Sequence, residues 1–581
     1  MELYNPANVS MTKYMFFTGK GGVGKTSIAC ATAAALADTG KKVLLVSTDP
    51  ASNLQDVFGI PLDNKGTEIR EVPGLVVANL DPLAAAAEYR ESVIGPYRGK
   101  FPDSVIRGME EQLSGSCTVE IAAFNEFSTF LTDKDKAERF DHILFDTAPT
   151  GHTMRMLRLP SAWTGFISES THGASCLGQL SGLESRKEIY KKAVYTLTDG
   201  KLTALVLVTR PEIAPILETE RASEELGTLG ISNQLLVVNG LLENCDPNDA
   251  VESALFEKQT AAIRGIPSDL LKHPVSMVPL RAYNITGIEN VRRMLSCSGS
   301  SGGGNGPVKI SSCTLADVVN DIYNSGKKVI FTMGKGGVGK TTVAAAIALG
   351  LNRKGRKVRL ATTDPADHLN YVMNGSAGIS ISHIDEQFEL GKYRDEVLAK
   401  ARRTMSGDDL AYVEEDLRSP CTQEIAVFRA FAEIVAKSRG ETVVIDTAPT
   451  GHTLLLLESA QSYNRQIENS GGDVSEAEKE LLPRLKNPDY TEVVIVTLPE
   501  ATPFFEAQRL TEDLMRAGIP VKWWIVNQIL SFTETNSDFL KSKASGEIQW
   551  INMVREVSNG SFAVVPWKPF EIKGDRLLEL L

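Results

Sequence analysis

The chain has 581 residues, 42% of them hydrophobic and 23% charged, and a formal net charge of −12 at pH 7. This length is too great for one ordinary hydrophobic core, and the composition is typical of a soluble globular protein. The acidic balance argues against a nucleic-acid-binding face as the main function, because contacts to phosphates need clustered Lys and Arg.

The first predicted strand, at residues 14–18, leads into the loop G-K-G-G-V-G-K-T at residues 19–26, which we call a P-loop. Its glycines let backbone N–H groups close around phosphate oxygens at the positive end of the alanine-rich helix that follows. Lys25 would then hold the β- and γ-phosphates of a nucleotide, and the hydroxyl of Thr26 would bind Mg²⁺. A glycine-rich turn without phosphate is the alternative interpretation.

Two acidic residues follow apolar strands further along. Asp49 comes after the strand at residues 42–47, where a carboxylate can orient the attacking water or hold Mg²⁺ through water. It could instead cap a helix, since Asp-Pro-Ala is a good helix start. Asp146 ends the strand at residues 142–145, the place of the second acidic group of a P-loop enzyme. It opens the segment D-T-A-P-T-G-H, which we interpret as a switch between the γ-phosphate and a ligand at His152.

Apolar, β-branched runs alternate with helical stretches through the first 240 residues. This alternation predicts a mostly parallel sheet with helices on both faces, which binds ligands at the carboxyl ends of its strands. The runs in question are residues 42–47, 74–80, 142–145, 203–208 and 234–238.

The same landmarks recur in the second part of the chain, in the same order. The P-loop returns at residues 334–341, at an offset of 340 − 25 = 315. A second copy in the same setting argues against a glycine-rich turn that binds no phosphate. Order and period together indicate a duplicated domain. The other repeated pairs are Asp49 with Asp364, Cys117 with Cys421, Asp146 with Asp446, and His152 with His452.

Residues 296–314 have the Gly/Ser-rich composition of a flexible linker. We therefore predict a first P-loop ATPase half at 1–295 and a second at 315–581. The predicted fold class is α/β, with two tandem P-loop NTPase domains of the deviant Walker A class. We expect them to face each other as a pseudo-two-fold dimer, with both P-loops near the surface where the halves meet, which we call the seam.

Each P-loop carries a second lysine directly after its first glycine, Lys20 and Lys335. The phosphate cradle does not need this lysine, so it is either a solvated charge or a group that reaches across the seam into the opposite site. The second interpretation resembles the deviant P-loop ATPases, in which such a lysine acts in trans as an arginine finger does elsewhere.

Cys117 and Cys421 each open an amphipathic helix, where the helix dipole favours a thiolate. Symmetric halves would bring the two together, and Cys176, which has no counterpart, could supply a third sulfur. Zinc sites more often show C-x-x-C pairs, whereas three thiolates suit a soft, three-coordinate ligand such as As(III) or Sb(III). Alternatively, the cysteines are small buried residues and the histidines are helix-start residues, and none of them binds a ligand. Weaker ligands could come from His152, Ser419 and His452.

Together these residues resemble the arsenite-translocating ATPase family (ArsA), the catalytic subunit of an arsenical efflux pump, over nearly the whole chain. The two P-loops, the two D-T-A-P-T-G-H segments and cysteines 117, 176 and 421 carry the resemblance. It implies ATP and Mg²⁺ as cofactors and As(III) or Sb(III) as allosteric ligand and transported species. It also implies a separate membrane-embedded arsenite efflux protein as partner, with a metalloid chaperone as an open question.

The resemblance also implies a set of site residues. The catalytic residues would be Lys20, Lys25, Asp49, Lys335, Lys340 and Asp364. Nucleotide would contact Gly19, Gly21, Gly22, Gly24, Lys25, Thr26, Ser27, Asp146 and Asn239, and Gly334, Gly336, Gly337, Gly339, Lys340, Thr341, Thr342, Asp446 and Asn527. Mg²⁺ would be held by Thr26, Asp49, Thr341 and Asp364, and metalloid by Cys117, Cys176, Cys421, His152, Ser419 and His452.

Location follows from absences in the sequence. The apolar runs are strand-sized, far below the ~20 residues of a membrane span, and the N-terminus lacks the pattern of a signal peptide. Seven cysteines without a dense framework suit a reducing compartment. We expect a cytoplasmic protein with no membrane span of its own, associated peripherally with the inner face of the membrane through its pump partner.

Three other functions fit P-loop proteins of this kind. A targeting factor for tail-anchored membrane proteins would need a Met-rich client groove, but residues 160–195 and 461–482 contain no methionine. A partitioning ATPase would carry a basic amphipathic terminal helix, which is absent. An iron–sulfur reductase would need four cysteines from paired halves, and only one symmetric pair exists.

Overall fold

The computed structural model describes residues 1–8, 12–49, 54–113, 116–147, 187–296, 311–363, 368–374, 378–405, 407, 410–411, 413–414, 417–418, 421–447 and 475–581. In these ranges the chain forms two mostly parallel sheets flanked by helices on both faces. The predicted α/β class is confirmed, and the first sheet belongs to the first half of the chain and the second sheet to the second half.

The first sheet has the strand order β1-β9-β8-β7-β2-β6-β3-β5-β4 among the described residues. All its neighbours pair in parallel except β4, which runs antiparallel to β5. The predicted strands appear as β3, β5, β6, β7 and β8 with small shifts at their ends. The strands are β1 Glu2–Leu3, β2 Tyr14–Thr18, β3 Val43–Ser47, β4 Thr67–Glu68, β5 Leu75–Asn79, β6 His142–Asp146, β7 Thr203–Thr209, β8 Gln234–Leu241 and β9 Val275–Pro279.

The second sheet has the order β12-β11-β13-β10-β14-β15-β16 among the described residues, and every neighbouring pair is parallel. In both sheets the strand before the P-loop is central, so the loop projects from the middle of the carboxyl edge. The strands are β10 Val329–Met333, β11 Val358–Thr362, β12 Ile379–His383, β13 Thr442–Asp446, β14 Thr491–Thr497, β15 Val521–Ile529 and β16 Phe562–Pro566.

Helices cover both sheets, and none in the described part of the chain combines the length and the apolar character needed to cross a bilayer. In the first half they are α1 Lys25–Asp38, α2 Leu54–Phe58, α3 Pro82–Ile94, α4 Asp103–Gln112, α5 Ser116–Thr132, α6 Lys134–Arg139, α7 Lys187–Thr198, α8 Ile213–Thr228, α9 Ala250–Arg264 and α10 Ile288–Met294. In the second half they are α11 Leu315–Ser325, α12 Lys340–Arg353, α13 His368–Met373, α14 Glu386–Thr404, α15 Cys421–Ala436, α16 Glu476–Lys486, α17 Ala501–Arg516 and α18 Asp538–Val557. Short 3₁₀ turns lie at Pro6–Asn8, Gly95–Tyr97, Leu270–Lys272, Lys437–Arg439 and Gly574–Leu580.

The central strand β2 is buried along its whole length because helices cover both of its faces. Phe16 points into one core and stacks on Phe145 with the ring centroids 4.6 Å apart. Met15 and Phe17 point into the other core, against α1. Small side chains along α1 let it lie close to the strands, and Cys30 is fully buried there, as expected of a core residue.

The described residues on either side of the predicted linker are anchored to their own halves. Arg281 donates to the carbonyl of Ser296, and Cys313 forms a parallel bridge to Ala563 of the second sheet. Thr314 caps α11 in a capping box with Asp317. Residues 297–310 lie outside the described ranges, so the domain division stays a prediction.

One carboxylate ties the two halves together beside a small apolar cluster. Oδ1 of Asp249 accepts from the N–H of Glu252 at 2.8 Å and caps α9, while Oδ2 accepts from Thr535, Asn536 and Ser537 at the start of α18. Burial alone would raise the pKa of Asp249, but these hydrogen bonds hold it below its ordinary value. The cluster pairs first-half and second-half side chains, namely Val251 and Leu255 with Leu530, Phe539, Leu540, Ala544 and Trp567.

We predict that Asp249→Ala destabilises the chain by about 2–3 kcal/mol, because it leaves buried N–H groups of the second half without acceptors. The pKa is lowered on folding, so this contribution is present above the ordinary carboxyl pKa and is lost as the pH falls through the folded value. Urea unfolding at pH 7 and at pH 3 measures both effects.

The control for that variant is Asp246→Ala in the same loop. Among the described residues the Asp246 side chain accepts hydrogen bonds only from Asn248, two residues away, and it is solvent exposed. Equal stability of the two variants at pH 7 would contradict the role given to Asp249.

Candidate functional site: paired phosphate-binding loops at the seam

Each P-loop joins a central strand to a helix through a glycine in the left-handed region. Gly24 has φ +94° and Gly339 has φ +91°, and α1 and α12 begin at the next residue. A Cβ on Gly24 would collide with the amide of Asn239, and one on Gly339 with that of Asn527. Backbone conformation and close approach therefore both demand glycine at these positions.

The side chains of these two asparagines donate hydrogen bonds to the backbone of the P-loops. Nδ2 of Asn239 donates to the carbonyl of Val23, and Nδ2 of Asn527 to that of Val338, both at 2.8 Å. Their predicted contact with adenine stays a prediction. The strand register shifts between Asn239 and Leu241 and between Val526 and Ile529, where Gly240 has φ +83° and Gln528 has φ +58°.

Two buried polar residues behind these bulges were not foreseen from the sequence. Gln259 accepts from the N–H of Leu242 at 2.8 Å and donates to the carbonyl of Gly240 at 3.0 Å. Glu547 takes the equivalent place and accepts from the N–H groups of Leu530 and Ser531, each at 3.0 Å. Burial raises the pKa of Glu547, and these hydrogen bonds oppose the rise. The offset 527 − 239 = 288, applied as 259 + 288 = 547, would have identified the pair.

The lysine of each loop is buried inside it. Nζ of Lys25 donates to the carbonyl of Lys20 at 3.2 Å, and Nζ of Lys340 to that of Lys335 at 3.0 Å. Burial lowers the pKa of Lys25, and the carboxylates of Asp146 and Asp49 oppose this. Each ammonium group therefore offers positive charge to an anion that enters its loop.

A threonine and an aspartate meet beside each loop. Thr26 donates to Oδ2 of Asp146 at 2.8 Å, and Thr341 to Oδ2 of Asp446 at 2.6 Å. Burial raises the pKa of Asp146 to about 7, against the opposing effects of Lys25 and Thr26. The other oxygen of Asp146, Oδ1, is buried and has no hydrogen-bond partner among the described residues. Hydroxyl and carboxylate oxygens are the ligands that Mg²⁺ prefers, so this donor set fits the ion.

Asp49 lies close to this group. Its backbone N–H donates to Oγ of Ser47 at 3.2 Å, and its charge acts on both Lys25 and Asp146. Its placement agrees with a role near the phosphates, which stays a prediction. The residues after Asp49, up to 53, and its counterpart Asp364 lie outside the described residues, so the helix-cap alternative is untested.

The two P-loops face each other across the seam with their backbones in contact. A Cβ on Gly21 would lie 2.7 Å from Cα of Gly336, and a Cβ on Gly336 would lie 2.7 Å from Cα of Gly21. A Cβ on Gly337 would lie 2.7 Å from the carbonyl oxygen of Gly21, and one on Gly22 would collide with the carbonyl oxygen of Gly336. Such reciprocity is expected of two domains related by a two-fold axis.

Lys335 of the second half lies within electrostatic range of the first site. Its ammonium group pairs with Glu506 on α17, and the side chains are 18% and 4% exposed. Burial lowers the pKa of Lys25, and the carboxylates of Asp146 and Asp49 oppose this effect. The positive charge of Lys335 lowers the same pKa further. It also opposes the burial that raises the pKa of Asp146. For Lys20 and Lys335 alike, action in trans stays a prediction.

The predicted metalloid ligands lie at the margin of what the structure describes. Cys117 lies in the first turn of α5 and Cys421 begins α15, so the predicted helices are confirmed, but their side chains are outside the described part. The other predicted ligands, Cys176, His152, Ser419 and His452, lie wholly outside the described residues.

Two facing P-loops, each with a buried lysine and a threonine–aspartate pair at the carboxyl edge of a parallel sheet, define a tandem P-loop nucleotide hydrolase. More particularly, the chain belongs to the family described as anion-transporting ATPase, whose model matches residues 12–297, 327–472 and 473–581. The chain is thus an ATPase, and the resemblance drawn from its sequence is confirmed.

Individual relatives agree with this family. The chain is 44% identical to the arsenical pump-driving ATPase of Acidiphilium multivorum over 578 residues and to that of Escherichia coli over 581 residues, covering 98% of both chains in each case. It is also 31% identical to ATPase GET3 of Kluyveromyces lactis over 312 residues, which is 49% of this chain and 88% of that relative.

We predict that Gly21→Ala lowers the rate of ATP hydrolysis at least about tenfold, because the new methyl group forces the P-loops apart and misplaces groups that act across the seam. Gly336→Ala should have a similar effect. Steady-state hydrolysis measures the loss, and thermal unfolding shows whether the fold survives.

Two helical glycines provide matched controls, since a Cβ on Gly108 or Gly391 would meet no described atom within 4 Å. Gly108→Ala and Gly391→Ala should hydrolyse ATP at the wild-type rate. Wild-type rates in both seam variants would show that the loops need not touch.

Proposed function

We propose that this chain drives the efflux of arsenite or antimonite by coupling ATP hydrolysis at two sites on one seam to metalloid binding, with a separate membrane protein forming the passage. The observation that supports this best is the reciprocal contact of the two P-loops, which makes the seam common to both ATP sites. The relatives named above, arsenical pump-driving ATPases, support the choice of cargo.

In this proposal the described residues have distinct roles at each site. Lys25 and Lys340 bind the β- and γ-phosphates inside their loops. Mg²⁺ would be held by Thr26 with Asp49 and by Thr341 with Asp364, and the carboxylates of Asp146 and Asp446 beside the threonines would add oxygen ligands. The ion would neutralise phosphate charge. Asp49 and Asp364 orient the attacking water. Lys20 and Lys335 stabilise the charge that develops at the site of the opposite half.

Metalloid acts through the same seam. The thiolates of Cys117 and Cys421, one from each half, bind As(III) or Sb(III) together with Cys176, and His152, Ser419 and His452 line further positions. ATP and metalloid both favour the closed arrangement of the halves, so each raises the affinity for the other. Because Cys176 has no counterpart, the two halves differ in role.

We predict that arsenite increases ATP hydrolysis by the purified chain under reducing conditions, and that Cys421→Ser blunts the increase by removing one of three soft ligands. The rate with and without arsenite is the measurement. Cys245→Ser is the control, because Sγ of Cys245 lies 3.6 Å from Oγ of Ser253 in its own half, away from the P-loops, and it should retain the full response.

Equal stimulation in Cys421→Ser would contradict the assignment of this thiol. No stimulation of the wild-type chain would instead favour a targeting factor for tail-anchored membrane proteins, and co-purification of hydrophobic helices would support that alternative.

We predict that Lys335→Ala lowers ATP hydrolysis by about 10³-fold, the lower end of the effect of a trans-acting cation in phosphoryl transfer. Lys327→Ala is the matched control. Lys327 also pairs with a buried glutamate, Glu492, but at the amino ends of the strands, away from the P-loops. That variant should lose stability and keep its ATPase rate within about threefold. Similar rates in the two variants would contradict a catalytic role for Lys335.

A further inference from the structure

We propose that Arg509 of the second half is a positioning residue for the first ATP site, acting in trans by holding helix α2 through a two-pronged ion pair with Asp56. This deepens the proposed function, because it concerns how the first ATP site is regulated, but it does not depend on which anion is transported.

The contact has the geometry of a specific pair. Nη1 of Arg509 lies 3.2 Å from Oδ1 of Asp56, and Nη2 lies 2.9 Å from Oδ2. The Asp56 side chain is 11% exposed and that of Arg509 is 32% exposed. A planar guanidinium that meets both carboxylate oxygens fixes orientation as well as distance, which a flexible lysine could not do.

The position of α2 gives this contact its importance. Helix α2, Leu54–Phe58, begins five residues after Asp49, the acidic group that acts on Lys25 and Asp146. Its apolar residues Leu54 and Val57 are buried against the first half. The helix is thus packed on one half and bound through Asp56 by the other, so any change at Asp49 that shifts α2 is felt across the seam.

One turn of α17 makes two ion pairs, one within the second half and one to the first half. Glu506 and Arg509 are three residues apart and lie on the same face of the helix. Glu506 pairs with Lys335, whose charge acts on Lys25, while Arg509 binds Asp56. The same helical turn therefore positions both a cation and a helix of the opposite half.

In the described part of the chain the second site has no equivalent pair. At the offset 501 − 213 = 288, which relates α17 to α8, Arg509 corresponds to Arg221. Arg221 pairs with Glu218 at 3.2 Å and lies 4.0 Å from Glu225, both on its own helix.

Helix α13, the counterpart of α2 in the second half, also lacks a carboxylate at the position of Asp56. At the offset 315 Asp56 corresponds to Tyr371 on α13, and Tyr371 donates instead to Glu571. The two ATP sites are therefore held differently, and among the described residues only the first is coupled to the opposite half in this way.

The test measures deuterium uptake of the full-length chain with and without Mg²⁺ and a non-hydrolysable ATP analogue. In the wild type the analogue should protect the peptide containing α2 and the peptide containing α13. Arg509→Ala should lose at least half of the protection at α2 and keep that at α13, whereas Arg221→Ala should keep both. Unchanged protection at α2 in Arg509→Ala overturns the proposal, and so does a wild type in which the analogue leaves α2 unprotected.

A charge reversal separates the ion pair from general damage. Arg509→Ala and Asp56→Ala should each lower kcat for ATP about fivefold with KM within about twofold, the size expected for loss of coupling between sites. The double variant Arg509→Asp with Asp56→Arg should recover at least half of the wild-type kcat, and failure to recover overturns the proposal. None of these measurements uses arsenite. If arsenite fails to stimulate ATP hydrolysis and the efflux proposal is wrong, the deuterium uptake and kcat values still test the role of Arg509.

Discussion

The backbones of the two P-loops touch where neither chain segment carries a side chain, at Gly21 and Gly336, and the other features of the seam depend on that contact. A Cβ on either residue would overlap the opposite backbone. Because the loops meet directly, they share one surface, and a shift of one loop changes the surroundings of the other. The carboxylate of Asp249 and its apolar neighbours hold the halves together at a second point, away from the phosphates.

Low dielectric makes the charges at this seam depend on one another. Lys25 and Asp146 are both buried. Burial lowers the pKa of Lys25 and raises that of Asp146, and both shifts favour the neutral form of the side chain. Lys335 and Glu506 bring charges of the second half to the same place. A nucleotide and its metal ion would therefore enter a set of charges contributed by both halves, which gives hydrolysis a physical connection to their relative position.

The sequence predicted the parts of the structure that depend on local pattern and on the repeat. Glycine spacing located the loops, and apolar runs located the central strands, because buried parallel strands carry few polar residues. The pair Gln259 and Glu547 was not predicted, because it lies beyond the D-T-A-P-T-G-H segments, where the repeated landmarks end. The ion pair of Arg509 with Asp56 joins residues 453 apart and has no repeated copy, so neither periodicity nor the internal repeat could reveal it.

The central claim is that ATP and metalloid both favour one closed seam. Its most direct test is the dissociation constant of a non-hydrolysable ATP analogue with and without saturating arsenite, together with that of arsenite with and without the analogue. If both ligands favour the same state, each should tighten the other's binding by the same factor. ATP-analogue affinity that does not change with arsenite would contradict the claim.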